Sequence, residues 1–223
     1  MDLRYSLITP PGSEPLTAED VRTYLRVDDD DTSQDTVISL LITAARRYAE
    51  TYTGLSLLPQ TWQAVADRFP GCWMPPAPFN AYAYAYGAHA GLYTHHSDDS
   101  IIQIKRGPVT SISSLTYVDT NGVTQTMDPA TYILDTSDLV QRVAPAYGVS
   151  WPTTRRQLAA VKINFAAGYA DAASVPATIK NWMLVRIATA FEHREAEEIV
   201  AKGKLQPLAY VDGLLDSEKA SWL

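Results

Sequence analysis

Apolar residues recur at helical spacing in Asp35 to Gly54, DTVISLLITAARRYAETYTG. At about 100° per residue, Val37, Ile38, Leu41, Ala44, Ala45, Tyr48 and Tyr52 gather in one arc, with Asp35, Ser39, Thr43, Arg46, Arg47 and Glu50 opposite. The pattern predicts an amphipathic helix over 35–53. Asp31 to Asp35 supply capping oxygens, and Gly54 can take the left-handed conformation that closes a helix. Each large apolar side chain buried on the arc contributes about 1.5–3 kcal/mol, so Leu41→Ala is expected to cost about 2–5 kcal/mol.

Upstream, Met1 to Pro15 reads as an extended arm, because Pro10, Pro11 and Pro15 block helix. Thr17-Ala18-Glu19-Asp20 has the form of a capping box and predicts a short helix over 17–26, with Val21, Tyr24 and Leu25 inward. After Gly54 the period becomes alternating: Thr61 to Phe69 puts Trp62, Ala64, Ala66 and Arg68 on one side of a strand. Further short β runs are Ile101 to Lys105, Ile112 to Asp119, Val123 to Met127, Tyr132 to Leu134, Leu139 to Val143 and Ala160 to Phe165. Asp119-Thr120-Asn121-Gly122 joins two of them as a hairpin turn. Pro176 suits a first helical turn, and the helix predicted over 176–196 is apolar over more than half its circumference, so it needs cover on several sides. The pattern allows a second amphipathic piece around Leu208 to Leu215.

The fold class expected is α+β: a helical core (17–26, 35–53, 176–196) with an inserted small antiparallel β-sheet region and a long irregular insertion. Along the chain this gives an N-terminal arm, helices and first strand (1–70), an insertion loop rich in Tyr, Ala and Pro (71–100), a β region (101–170) and a C-terminal helix and tail (171–223), as one globular unit.

Charge and chemistry narrow the function. The net charge of −7 over 223 residues argues against a protein that grips phosphate backbones. Cys72 is the single cysteine and forms no internal disulfide. No apolar run is long enough to span a bilayer, and MDLRYSLITPPG lacks the blocks of a signal peptide, so a soluble protein made in the cytoplasm is expected. A calcium loop opening at Asp28 would need glycine where Ser33 stands and glutamate where Ser39 stands. No nucleophile motif, Walker loop or dinucleotide fingerprint is present. The expectation is therefore no enzyme and no cofactor. The alternative is a small metal-dependent hydrolase using His89, His95 and His96 with Asp98 and Asp99 beside them.

Protein contacts remain the best-supported role. The candidates are Tyr82, Tyr84 and Tyr86 in the insertion, and Leu205, Leu208, Tyr210, Val211, Trp222 and Leu223 in the tail, because aromatics give large contact area at little entropic cost.

The ordered set of LITPPGSEPLTAEDVRTYLRVDDDD, AARRYAETYTG, QTW, GPVTSISSLTYVDTNG, YILDTS, PAYGVSWP and INFAAGYADAASVPATIKNWMLV resembles the head-tail connector (adaptor) proteins of long-tailed bacteriophages and prophages. The likeness runs from about Leu7 to Glu195, and the departure from it is the tyrosine-rich insertion. It implies a structural virion protein at the head-tail junction, assembled in the host cytoplasm into a ring of about twelve copies under the portal protein. Such a ring extends the DNA channel and docks a stopper or tail-completion protein. Trp182 and Phe191 of the final helix, with the tail, would then face portal or neighbouring subunits. Passing double-stranded DNA would not be held tightly, since an acidic wall avoids the contacts that release counterions. Another neck or tail-completion protein is the near alternative.

Overall fold

The computed structural model describes residues 1–28, 31–71, 100–192 and 213–219. The chain is α+β. Its elements run β1 (Arg4–Thr9), α1 (Ala18–Leu25), α2 (Asp35–Thr53), β2 (Gln60–Ala66), β3 (Ile102–Ile104), β4 (Val109–Val118), β5 (Thr124–Thr126), β6 (Tyr132–Asp135), β7 (Gln141–Pro145), β8 (Val161–Ala167) and α3 (Ala177–Glu192). They form two compact units drawn from interleaved segments: Met1–Ile8, Trp62–Ile104 and Thr110–Ala166 in one, Thr9–Thr61, Lys105–Val109 and Ala167–Leu223 in the other.

The first unit is built from β-strands. One sheet has the order β1-β2-β8-β4-β5 and a second has the order β3-β7-β6. Part of the expected arm, Arg4–Thr9, is thus an edge strand, tied down by the Arg4–Asp67 ion pair at 2.6 Å. β4 and β5 pair antiparallel through Tyr117↔Gln125. At their turn the Asp119 carboxylate accepts from the Asn121 and Val123 N–H groups, each at 2.9 Å. β6 and β7 pair antiparallel through Leu134↔Val143. The interior includes Leu115, Ile163 and Phe165, with Phe69 stacked on Trp151 at 4.8 Å between centroids. Trp151 Nε1 donates to the Ser100 carbonyl at 2.6 Å, so the indole is buried without losing its hydrogen bond.

The second unit is helical. Thr17 and Asp20 form the capping box: the Asp20 N–H donates to Thr17 Oγ1 at 3.1 Å, and the Thr17 N–H donates to Asp20 Oδ2 at 2.8 Å. These bonds hold the Asp20 carboxyl below its usual value, the backbone bond from Thr17 contributing most. At the far end of α2, Gly54 has φ 77° and its N–H reaches the Glu50 carbonyl. α3 packs against both α2 and α1, which supplies the cover its apolar circumference requires.

The α2 face differs from the expected one. Ile38, Ile42, Ala45 and Ala49 are buried, Leu41 is half-buried, and Val37, Ala44 and Tyr48 are exposed. Arg46 and Glu50, assigned to the solvent side, are buried instead. The physical reason is a polar network from distant parts of the chain. Arg46 Nη1 meets Glu50 at 2.8 Å and Arg46 Nε meets Glu14 at 2.6 Å. Glu50 also accepts from the Leu57 N–H at 3.1 Å and from the Gln60 amide. Burial opposes the charge on Arg46, but the Glu14 hydrogen bond and the charges of Glu50 and Glu14 hold its pKa above the ordinary value. A paired and hydrogen-bonded ion can be buried where an isolated one cannot.

Candidate interaction surfaces

The rotation of α2 leaves a strip on the outside of the helical unit. Leu40 is 68% exposed and Tyr48 is 47% exposed, the latter although its ring stacks on Trp182 at 5.3 Å and on Tyr52 at 6.3 Å. The Arg186 guanidinium lies 5.9 Å from the Tyr48 centroid, and Lys219 Nζ lies 4.8 Å from that of Tyr52. The rings present apolar edges bordered by cations, an arrangement suited to a protein contact.

The segment 213–219 returns to the same helices. Leu215 is buried with the core side chains, the Tyr52 hydroxyl donates to Asp216 at 2.6 Å, and Thr178 Oγ1 donates to Glu218 at 2.7 Å. Burial, and after it the negative charge of Glu218, pushes the Tyr169 phenol above its usual pKa.

A second surface is the hollow of about 550 Å³ beside α1 and α3. Its lining includes buried Pro15 and Leu16, half-buried Leu184 and exposed Tyr24. Asp20 and Lys180 stand at its polar margin, Lys180 Nζ donating to the Ala172 carbonyl at 3.2 Å. It is shallow and open to solvent, a shape that suits side chains of a protein partner rather than an enclosed small ligand. In the strand unit, Leu7 and Ile8 are exposed on edge strand β1, and Tyr147 is wholly exposed at a turn whose Val149 N–H bonds the Ala146 carbonyl.

The sequence candidates fare unevenly. Trp182 is fully buried in the helical unit, where it packs beneath Tyr48, so the side chain expected to meet a partner directly is interior. The reason is that α3 turns its Trp182 side toward α2. Phe191 is partly buried against the same core. Tyr82, Tyr84, Tyr86, Leu205, Leu208, Tyr210, Val211, Trp222 and Leu223 lie outside the described residues, as do Cys72, His89, His95 and His96. Among the described residues, no group of three or more His, Cys, Asp or Glu side chains could hold a metal ion, and no helix is long and apolar enough to cross a membrane. Sequence reasoning missed Leu40 and Tyr48 as surface residues. The available signal was the run Thr36 to Ala49, which contains no acidic residue in an acidic chain.

Comparison with known proteins supplies a family match over part of the chain and a fold over nearly all of it. Residues 16–77 match the family described as phage gp6-like head-tail connector protein. No curated protein matches the chain. Among solved structures, a chain in the neck of an empty GTA particle computed with C6 symmetry aligns with a TM-score of 0.70 at 17% identity, over 99% of this chain and 97% of that one. A chain in the virion of the native gene transfer agent (GTA) particle gives 0.69 at 17% identity, over 98% and 96%. A chain in the neck of the native GTA particle computed with C12 symmetry gives 0.60 at 16% identity, over 100% and 97%. At such identities the likeness is one of fold, and it extends over nearly the whole length of both chains. Over residues 16–77 this chain matches the phage gp6-like head-tail connector proteins, the family that the ordered sequence motifs resemble.

Proposed function

We propose that the chain is a non-catalytic structural subunit of a phage-type neck, a head-tail connector that assembles with copies of itself into a ring under the portal protein. The observation that carries this reading is the fold shared over 99% of this chain and 97% of a chain in a GTA neck, in combination with the family match at 16–77. The C6 and C12 symmetries named for those particles support rotational assembly. A connector needs faces for copies and partners, and the strip on α2, the hollow beside α1 and α3, and the exposed Tyr147 turn are surfaces of that kind. The ring extends the channel for DNA and offers its far face to a stopper or tail-completion protein. The net charge of −7 fits a wall along which DNA passes without being held.

The test is negative-stain imaging of the purified protein mixed with its cognate portal protein. Rings seated on portal are the expected result. Failure to associate with portal, together with stoichiometric zinc or manganese in the purified protein, would overturn the reading in favour of a metal-dependent hydrolase.

A further inference from the structure

The two surfaces of the helical unit have opposite character. On α2, Val37, Leu40, Ala44 and Tyr48 follow one another at helical spacing and are all exposed. The charges nearest this strip are exposed Arg47 on α2 itself and Arg186 over Tyr48, while at the neighbouring Tyr52 ring Lys219 and Asp216 offset one another. The hollow has a mainly apolar lining, but its α1 margin is acidic, with Asp20 lining it and Glu19 one helical turn before lining residue Thr23. Asp171 immediately precedes lining residue Ala172. Lys180 also lines the hollow and keeps its positive charge while donating to the Ala172 carbonyl, so Glu19, Asp20 and Asp171 set three carboxylates against one ammonium. Asp20 is also held in its charged form by the Thr17 hydrogen bonds.

We propose that the α2 strip of one copy docks in the α1/α3 hollow of the next copy, so that this contact repeats around the assembly. The proposal rests on the ring reading above and names the faces that make the ring. The strip offers apolar side chains bordered by arginine, and the hollow receives them on an apolar lining beside carboxylates, so both apolar burial and charge favour the pairing. Strip against strip would set Arg47 and Arg186 beside their own copies. The strip and the hollow share no residue. The contact is therefore heterologous: each copy has one face left to offer, and association proceeds until rotation closes a ring.

The test uses the full chain in a Cys72→Ser background, treated with a short bismaleimide. The Leu40→Cys/Thr23→Cys double variant is expected to give a ladder of covalent multimers on denaturing gels. Leu40→Cys and Thr23→Cys singles should each stay monomeric, and a mixture of the two should stop at dimers. In parallel, Arg47→Glu should weaken assembly by about tenfold or more, and adding Glu19→Arg should restore it. Dimers from Leu40→Cys alone would overturn the proposal in favour of a symmetric contact. Rings visible on a mass photometer with no ladder would overturn it while leaving the ring reading intact. No assembly of the unmodified chain, with or without portal, would overturn both.

Discussion

At the scale of single residues, the structure turns on side chains whose partners lie far away in sequence. Gly168 has φ 129°, and a Cβ there would collide with the Leu58 carbonyl group. Its N–H also donates to the Pro108 carbonyl at 2.8 Å. Gly168→Ala is expected to cost more than about 1 kcal/mol, read as a lowered thermal midpoint. Glu50 gives a larger effect. Its side chain is 8% exposed, as is that of Arg46, and it neutralises Arg46 while accepting from Leu57 and Gln60. Glu50→Gln should destabilise by about 3–5 kcal/mol, measured by urea unfolding. None of this was legible from the α2 sequence. Arg46 and Glu50 look like solvent-facing charges until Glu14, 32 residues from Arg46, is seen to complete the cluster.

At the scale of elements, local signals served well where the cause of an element is local. The capping box at Thr17 starts α1, Gly54 ends α2, and the short alternating runs are strands. The face that α2 buries is set by tertiary partners, so it escaped the sequence. Leu41, expected to be a core residue, is half-buried, whereas Ile42 is 3% exposed. Ile42→Ala should therefore cost about 2–5 kcal/mol and Leu41→Ala less, and denaturant midpoints of the pair check the order. The capping box adds a pH dependence. The folded-state pKa of Asp20 is lowered, so its stabilising contribution is complete above the unfolded value of 3.8 and is lost as pH falls through the folded one. Thr17→Ala should lower stability by about 0.5–2 kcal/mol at neutral pH and should flatten the loss of helicity in this acidic window, followed by circular dichroism. The arm of 1–15 was legible as extended, but its pairing as edge strand β1 depends on β2, more than 50 residues away.

At the scale of the molecule, ordered weak motifs carried further than any single one. The family resemblance was legible because the motifs follow one another along most of the chain, and residues 16–77 match that family. The two compact units draw on interleaved segments, because strands far apart in sequence pair with one another. The contact residues were the least legible part. Trp182, named from the sequence as a candidate for partner contact, is buried against Tyr48, while Tyr48, placed on the inner arc from the sequence, is 47% exposed although its ring stacks on Trp182 and Tyr52. The net charge of −7 predicts that the purified protein shows no salt-resistant binding of double-stranded DNA in a filter or anisotropy assay. The central claim, that copies of this chain close into a ring, is tested most directly by the native mass of the purified protein with portal present. A closed oligomer of about twelve 24.5 kDa subunits is predicted. A chain that stays at the mass of one subunit beside intact portal would contradict it.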